Sequence, residues 1–162
     1  DELPAEIGPH SLDIVMMIFV LSAISPQNFD NVIAKLAKVV KIGGSILFRD
    51  YAVGDLAQQR FDDKEARPQK IEENFYVRSD GTRAYYFAEE ELIGLMRKHG
   101  FEVRAIKVVD TIIENRKKKS EMHRLWVQGK FERVADSAVA SSSDASSAVP
   151  TNEPVSSAPS EQ

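Results

Sequence analysis

Apolar residues follow two different patterns along the first third of the chain, and each pattern predicts an element. The apolar segment 12–21, which is interrupted only by Asp13, is typical of a strand covered on both faces, as in a parallel sheet. After Pro26, apolar residues recur at helical spacing as far as Val40, and Gly43-Gly44 is expected to end that helix. The apolar segment 45–48 then predicts a second strand, so the order indicates a right-handed crossover unit.

The rest of the chain predicts a long connection, one more helix and two more strands. Residues 51–84 show no sustained period and are interpreted as a long polar connection. Helical spacing returns at 89–99, and weakly alternating segments follow at 101–113 and 124–131. These last two strands are expected to pair as a hairpin, with Trp126 in the core. The predicted fold is α/β, a doubly wound sheet that ends in an antiparallel hairpin.

Composition divides the chain into a body, residues 1–135, and a tail, residues 136–162. The tail is rich in Ser, Ala and Pro and has no aromatic residue, Lys or Arg, so we expect it to be disordered. The formal net charge of −4 is carried by the four acidic residues of the tail, so the body is formally neutral. A neutral body lacks the basic excess of a general polyanion binder, and any nucleic-acid contact must therefore use local basic patches.

Several classes of site are excluded or disfavoured by the residue types present. The absence of cysteine excludes disulfides, thiolate metal sites and a thiol nucleophile in this chain, and the three histidines show no ligand spacing. We therefore expect no metal site. The longest apolar run is too short for the roughly 20 residues that span a bilayer, so no membrane segment is expected.

A doubly wound fold that binds a cofactor needs a first strand followed by a glycine-rich turn, and this chain has no such motif. The chain also begins with Asp1 rather than Met, without a visible targeting segment. The sequence is therefore interpreted as a fragment. A fragment of an open sheet would leave one edge unpaired, which predicts poor solubility or self-association of the chain alone.

Several blocks of sequence carry a more specific signal than periodicity does. They include Asn-Phe-Tyr-Val-Arg at 74–78 and Asp-Gly-Thr-Arg at 80–83, and the full set is 18–24, 47–51, 55–58, 73–78, 80–87, 115–117 and 124–131. In this order, the blocks resemble the tRNA 3-methylcytidine methyltransferases, a family of the methyltransferase-like group that uses S-adenosylmethionine. The resemblance covers nearly all of the body.

The resemblance implies a partial Rossmann-like, class I methyltransferase fold, represented here from its fourth strand onward. It places the main S-adenosylmethionine motif in a half that would precede Asp1, so the isolated chain is expected to be inactive. Ile18 matches a position at the end of the fourth strand that borders the cofactor, and it is the one cofactor contact that we carry over to this chain.

Methylation of a cytidine ring nitrogen needs no strong base, because that nitrogen carries a free lone pair at neutral pH. The product base is cationic, so a carboxylate near it would stabilise the developing charge. Asp50 follows a strand at the edge where open α/β sheets bind ligands, and it is the candidate for this catalytic role. The alternative is that Asp50 caps the loop or pairs with Arg49.

Candidate RNA contacts lie in two basic segments. Arg78 and Arg83 stand among aromatic residues, a mixture suited to phosphate contacts and base stacking. The alternative is that the aromatic residues pack on the sheet and that Arg78 pairs with Asp80. The second segment is the expected hairpin tip, where Arg116, Lys117, Lys118 and Lys119 form a basic patch together with His123 and Arg124. This patch is either a tRNA backbone contact or a solvated turn.

By resemblance, the expected function is transfer of a methyl group from S-adenosylmethionine to cytidine N3 in a tRNA anticodon loop. The implied partners are tRNA and a helper protein such as an aminoacyl-tRNA synthetase, and the implied location is the cytoplasm. Two alternatives stay open. One is a noncatalytic fragment that binds RNA or a protein partner, and the other is a methyltransferase with a different acceptor.

Overall fold

The computed structural model describes residues 3–62, 70–115 and 120–135. The predicted tail, 136–162, lies outside the described residues. The strands and helices, in chain order, are β1 Leu12–Ile18, α1 Phe29–Val39, β2 Val40–Tyr51, α2 Leu56–Asp62, β3 Lys70–Glu72, β4 Phe75–Val77, β5 Arg83–Tyr85, α3 Glu89–Lys98, β6 Phe101–Asn115 and β7 Ser120–Arg133. In the described part of the chain, no helix has the length and apolar character to cross a membrane.

The main sheet has four strands in the order β1-β2-β7-β6. β1 and β2 pair in parallel through the connection that contains α1, which confirms the predicted crossover unit. β7 is antiparallel to both of its neighbours, so β6 and β7 form the predicted hairpin. The fold class inferred from the sequence, α/β with a terminal antiparallel hairpin, is therefore confirmed.

α1 and α3 pack on one face of this sheet and bury an apolar core. α1 places Phe29 and Ile33 toward the sheet, while Asp30 in its first turn and Lys38 in its last turn complement the helix dipole. The core residues that are almost completely buried come from both helices and all four strands: Met17, Phe29, Ile33, Ile46, Phe48, Leu92, Met96, Phe101, Val127 and Phe131.

The prediction that Gly43-Gly44 ends the first helix is wrong. α1 ends at Val39, and the glycines lie inside β2, where the pairing of β1 with β2 shifts register between Leu12 and Ile14. Gly43 has φ +82, and a Cβ on Gly44 would lie 3.0 Å from the carbonyl oxygen of Asp13. Gly43 therefore permits the irregular pairing of β2 with β1, and Gly44 permits the backbone of β1 to approach β2 closely.

The interpretation of 51–84 as an unstructured polar connection is also wrong for its described residues. α2 and a second sheet, with the order β3-β4-β5, lie in this region. Tyr76, Ala84 and Tyr86 form a small buried cluster there, against which Tyr51 and Phe61 pack. Strands of three residues are too short to produce a visible period in the sequence, which is why the prediction missed them.

The second sheet is fastened to the end of β2 by backbone hydrogen bonds. The N–H of Phe87 donates to the carbonyl of Tyr51 at 2.9 Å, and the N–H of Val53 donates to the carbonyl of Phe87 at 3.1 Å. The β6–β7 hairpin also passes this point, because β2 stops pairing with β7 at Tyr51 and Trp126 whereas β6 continues to Asn115. A two-stranded ribbon therefore projects beyond the carboxyl end of β2.

Candidate functional site

The carboxyl ends of β1 and β2, the second sheet and the base of the ribbon meet at one edge of the main sheet. In open α/β sheets, this edge is where ligands bind. Ile18 ends β1 with 45% of its surface exposed, so it offers apolar surface at the position that the resemblance assigns to a cofactor border. Among the described residues, no group of three or more His, Asp or Glu side chains is arranged to hold a metal ion.

Asp50 is completely buried at this edge. The N–H of Ser22 donates to its Oδ2 at 3.0 Å, and the N–H of Tyr51 donates to its Oδ1 at 3.0 Å. Burial raises the pKa of Asp50, while these hydrogen bonds act in the opposite direction. The carboxyl group thus joins the turn after β1 to the end of β2 in a poorly solvated place.

Tyr51 lies under two arginine side chains. The guanidinium carbons of Arg78 and Arg124 are 4.9 Å and 5.6 Å from the centre of its ring. Arg78 directly follows β4 and Arg124 lies in the ribbon, so three distant parts of the chain meet at one aromatic ring. Cations over an aromatic face at these distances are attracted by the ring quadrupole.

A buried carboxylate fixes the position of Arg124. Asp55 has no exposed surface, and its Oδ2 accepts hydrogen bonds from Arg124 Nε at 2.8 Å and from the N–H of Leu125 at 2.9 Å. Its Oδ1 accepts from the N–H of Ala57 at 2.7 Å. Asp55 therefore links the start of α2 to the base of the ribbon and orients the guanidinium toward Tyr51.

A second aromatic and cationic cluster lies beside Tyr51. Phe19 has φ +54, an unusual conformation for a non-glycine residue, and its ring is 5.0 Å from that of Tyr51. The guanidinium carbon of Arg49 is 4.4 Å from the Trp126 ring centre.

The expectation that Trp126 is a core residue is wrong, because the alternation of β7 places Val127 in the core and Trp126 on the opposite face.

Arg83 and the aromatic residues of the second sheet have their partners within the protein. Arg83 Nη1 donates to Ser25 Oγ at 2.7 Å, and its guanidinium carbon is 5.9 Å from the Phe75 ring centre. Asp80 accepts hydrogen bonds from the N–H and hydroxyl of Thr82. These bonds, and to a smaller extent the charge of Arg78, lower the pKa of Asp80, but the described residues show no direct Arg78–Asp80 ion pair. The aromatic residues are buried, as the packing alternative expected: Phe75, Tyr76, Tyr85 and Tyr86.

The structure brings together some of the predicted residues and adds others. Asp50 and Arg78 lie at the same edge, whereas Arg116, Lys117, Lys118 and Lys119 lie outside the described residues. The sequence interpretation gave no site role to Tyr51 or Asp55, and it counted Arg124 only as part of the basic patch at the hairpin tip. Tyr51 directly follows Asp50 and could have been noticed, but the role of Arg124 depends on the hairpin register, which the sequence pattern does not give.

Comparisons with known proteins show which proteins this chain is similar to. The Saccharomyces cerevisiae protein named tRNA(Thr) (cytosine(32)-N(3))-methyltransferase is 45% identical over 130 residues, which are 80% of this chain and 20% of that protein. The Gallus gallus tRNA N(3)-cytidine methyltransferase METTL2 is 44% identical over 136 residues, 83% of this chain and 35% of that protein. The resemblance inferred from the sequence is confirmed.

One similar protein carries a different kind of name. Dictyostelium discoideum O-methyltransferase 3 is 40% identical over 137 residues, which are 84% of this chain and 31% of that protein. The chain thus spans between a fifth and about a third of these relatives. No family model matches the chain.

Solved structures confirm the fold. An S-adenosylmethionine-dependent methyltransferase from Methanosarcina mazei superposes with a TM-score of 0.62 at 20% identity, over 82% of this chain and 64% of that chain. At this identity the likeness concerns the fold alone. The chain has part of a Rossmann-like, class I methyltransferase fold.

Proposed function

We propose that this chain forms the acceptor side of an S-adenosylmethionine-dependent tRNA methyltransferase that produces 3-methylcytidine in the anticodon loop. The observation that carries the proposal is the convergence, at one edge of the sheet, of the buried Asp50 carboxyl with Tyr51 and its two arginines. The names of the Saccharomyces cerevisiae and Gallus gallus relatives support the choice of cytidine N3 and of tRNA.

The residues at this edge suit a methyl transfer that uses a lone pair and no strong base. S-adenosylmethionine, when bound, supplies an electrophilic methyl group, and Ile18 would border it. The N3 lone pair of cytidine forms the new bond to carbon while the bond from carbon to sulfur breaks. The positive charge therefore moves from the sulfur to the base, and the protein must orient the base and stabilise that charge.

In this proposal, the Asp50 carboxylate stabilises the cationic base by electrostatic attraction and does not contact it. Its carboxylate has no exposed surface, so a charge at this position is weakly screened and lowers the energy of a cation that forms at the nearby edge. Its hydrogen bonds to Ser22 and Tyr51 keep that charge in place. Tyr51 and Phe19 provide aromatic surface against which an unpaired base stacks.

The cationic side chains would hold the tRNA backbone. Arg78 and Arg124 present guanidinium groups beside Tyr51, and Arg83 lies at the rim of the second sheet. The basic segment 116–119 follows the end of the projecting ribbon in sequence and would extend the contact. A helper protein such as an aminoacyl-tRNA synthetase, and a cytoplasmic location, belong to the same proposal.

The test is methyl transfer to an unmodified tRNA(Thr) transcript, the substrate class in the name of the Saccharomyces cerevisiae relative. This chain is assayed alone and joined to the part of the Gallus gallus relative that it does not match. The digested tRNA is analysed by mass spectrometry for 3-methylcytidine. We expect this nucleoside in the joined protein's product, and none from a transcript in which cytosine 32 is replaced by uracil.

Two other outcomes would contradict the proposal. Salt-sensitive tRNA binding without methyl transfer by either protein would favour a noncatalytic RNA-binding role. Transfer of labelled methyl groups to hydroxyl groups of another acceptor, without 3-methylcytidine, would favour the chemistry in the name of the Dictyostelium discoideum relative.

A further inference from the structure

The two arginines beside Tyr51 carry N–H donors that the described residues leave unused. Arg124 uses its Nε to bind Asp55, and the hydrogen bonds and ion pairs found among the described residues include none from its two Nη atoms. They include none from the guanidinium of Arg78 either. A guanidinium presents five N–H donors and pairs bidentately with a phosphate or a carboxylate. Both side chains therefore have donor edges available for an anionic ligand.

The two donor edges lie close to each other. The guanidinium carbons of Arg78 and Arg124 are 4.9 Å and 5.6 Å from the same ring centre, so their separation cannot exceed the sum of these distances. Like charges this close repel each other unless an anion compensates them. Within the described part of the chain, Asp55 forms an ion pair with Arg124 and no carboxylate forms one with Arg78. Two anions joined by a short link would match the pair.

The start of α2 holds the two segments that carry these arginines. Asp55 directly precedes α2 and binds Arg124. Gln58, three residues later, is 6% exposed, and both ends of its side-chain amide are used. Its Nε2 donates to Asn74 Oδ1 at 2.9 Å, and its Oε1 accepts from the N–H of Gly54 at 2.8 Å.

The bond from Gln58 reaches the strand that leads to Arg78. Asn74 directly precedes β4, and Arg78 directly follows that strand. Asn74 has φ +57, and its carbonyl accepts from the N–H of Tyr86 at 2.9 Å. A non-glycine residue with positive φ is uncommon and needs support from its surroundings. Gln58 supplies part of that support and thereby helps to place Arg78.

We propose that Arg78 and Arg124 bind the two phosphate groups on either side of the acceptor nucleotide, one arginine for each phosphate, with Gln58 as the positioning residue for Arg78. The inference rests on the proposed function, because it takes the acceptor to be an unpaired nucleotide stacked against Tyr51. Consecutive phosphates of an RNA strand are joined through one sugar, so two linked anions flank each nucleotide. Phosphate contacts position a strand without reading its sequence, and here they would bring the base to Tyr51.

The probe is a fluorescent RNA hairpin with the anticodon-arm sequence of the tRNA(Thr) transcript in the proposed assay, and fluorescence anisotropy measures its affinity for this chain. In two further hairpins, an uncharged methylphosphonate replaces the phosphate before or after cytosine 32. We expect Arg78→Gln and Arg124→Gln each to weaken binding of the unmodified hairpin a few-fold. Each variant should lose this effect, to within about twofold, on one modified hairpin, and the two variants should lose it on different ones.

Gln58→Leu tests the positioning role. It removes the bond to Asn74 and leaves Arg78 itself in place. We expect its loss of affinity to disappear on the same modified hairpin as that of Arg78→Gln, whereas a general loss of stability would weaken binding of all three hairpins alike. Gln58→Glu keeps the acceptor for Gly54 and removes the donor to Asn74, so it provides the same comparison if Gln58→Leu does not fold.

Two control variants accompany these measurements. Gln59→Leu changes the neighbouring glutamine, which is exposed and donates to the carbonyl of Gly54, and it should alter affinity less than about twofold. Arg104→Gln removes a cation on β6 that is paired with Glu132, and its effect should not depend on either phosphate.

The proposal is overturned if the hairpin does not bind, if both arginine variants act on every hairpin alike, or if both lose their effect on the same modified hairpin. The same phosphate dependence for Arg104→Gln, or displacement of the hairpin by an equal concentration of inorganic phosphate, would also overturn it. An equal loss on all three hairpins for Gln58→Leu would overturn the positioning role.

These outcomes differ from those that contradict the proposed function. Binding of the hairpins needs no S-adenosylmethionine, so losses tied to single phosphates without formation of 3-methylcytidine would contradict the proposed function alone. Formation of 3-methylcytidine without losses tied to single phosphates would contradict the present proposal alone.

Discussion

The core of the main sheet and the carboxyl edge of that sheet are built on opposite principles. In the core, Ile33, Ile46 and Phe131 exclude water and bear no charge. At the edge, the fully buried carboxyl groups of Asp50 and Asp55 accept hydrogen bonds from backbone and arginine donors. A core gains stability from burying apolar surface, whereas burying a charge opposes stability unless partners compensate it. The edge therefore carries the features of a site and the core those of a scaffold.

Truncation of the core should have the largest effect on stability. Phe131 is fully buried against Phe48 and the rest of the core, and Phe131→Ala leaves a cavity there. We expect this change to lower the free energy of unfolding by about 3–5 kcal/mol. Chemical denaturation measures the loss, and Ile112→Ala on the exposed ribbon is the control. Equal losses for the two variants would contradict the assignment of Phe131 to the core.

Removal of the carboxylate that orients Arg124 should have the next largest effect. Asp55→Ala leaves Arg124 Nε and the N–H of Leu125 without their acceptor. We expect a loss of about 2 kcal/mol in the free energy of unfolding, because these donors are partly buried. Asp110→Ala, which removes an exposed pair with His123 in the same ribbon, should cost less than about 0.5 kcal/mol. A smaller loss for Asp55→Ala than for Asp110→Ala would refute the positioning role.

Neutralisation of one edge arginine should weaken tRNA binding without unfolding the chain. For Arg78→Gln, we expect a loss of a few-fold in affinity and a decrease of about 0.7–0.9 in the slope of log affinity against log salt, the change expected for one lost phosphate contact. Arg97→Gln on α3, whose partner is Glu102, should change neither quantity. Filter binding over a salt series measures both. An unchanged slope for Arg78→Gln would place this arginine outside the RNA contact.

The pH dependence of stability should show a small contribution from Asp50. Burial raises its folded-state pKa above the ordinary 3.8, so the folded chain binds this proton more tightly than the unfolded chain does. The contribution of Asp50 is thus complete below pH 3.8 and is lost as pH rises through the raised folded-state pKa.

A comparison with Asp50→Asn isolates this contribution. We expect the stability of the unsubstituted chain, relative to that of Asp50→Asn, to fall with rising pH by at most about 1.4 kcal/mol per pH unit. Thermal unfolding from pH 4 upward, on matched buffers, measures the difference. A relative stability that rises with pH would mean that the hydrogen bonds from Ser22 and Tyr51 outweigh desolvation.

The sequence predicted those parts of the fold that are governed by local periodicity. The apolar run that becomes β1, the helical spacing of α1 and the hairpin of β6 and β7 follow from single-segment patterns. Gly43-Gly44 misled the prediction because the same two residues suit a helix end and an irregular strand. The short strands of the second sheet give no period, so their aromatic residues indicated burial but not topology.

The site was only partly predictable, because it depends on register between distant segments. Asp50 was chosen because the sequence pattern placed it just after a strand, whereas the structure has it inside the carboxyl end of β2, which runs to Tyr51. The contact of Arg124 with Tyr51 requires β7 to lie next to β2 with Trp126 opposite Tyr51, and residue spacing does not encode that register. Asp55, the partner of Arg124, lies 69 positions earlier in the chain, and a local sequence pattern does not predict a contact over that distance.

The position of β7 in the main sheet has a consequence for the order in which the chain folds. β7 is the last described strand, yet it lies between β2 and β6, so those two strands have no common neighbour until residues 120–133 are available. During synthesis, the β1–β2 pair and the α3–β6 unit therefore stay unconnected, and the strand edges of β2 and β6 stay unpaired, until β7 has been made. The final strand closes the sheet by inserting in its middle, and such distant pairings make folding slow.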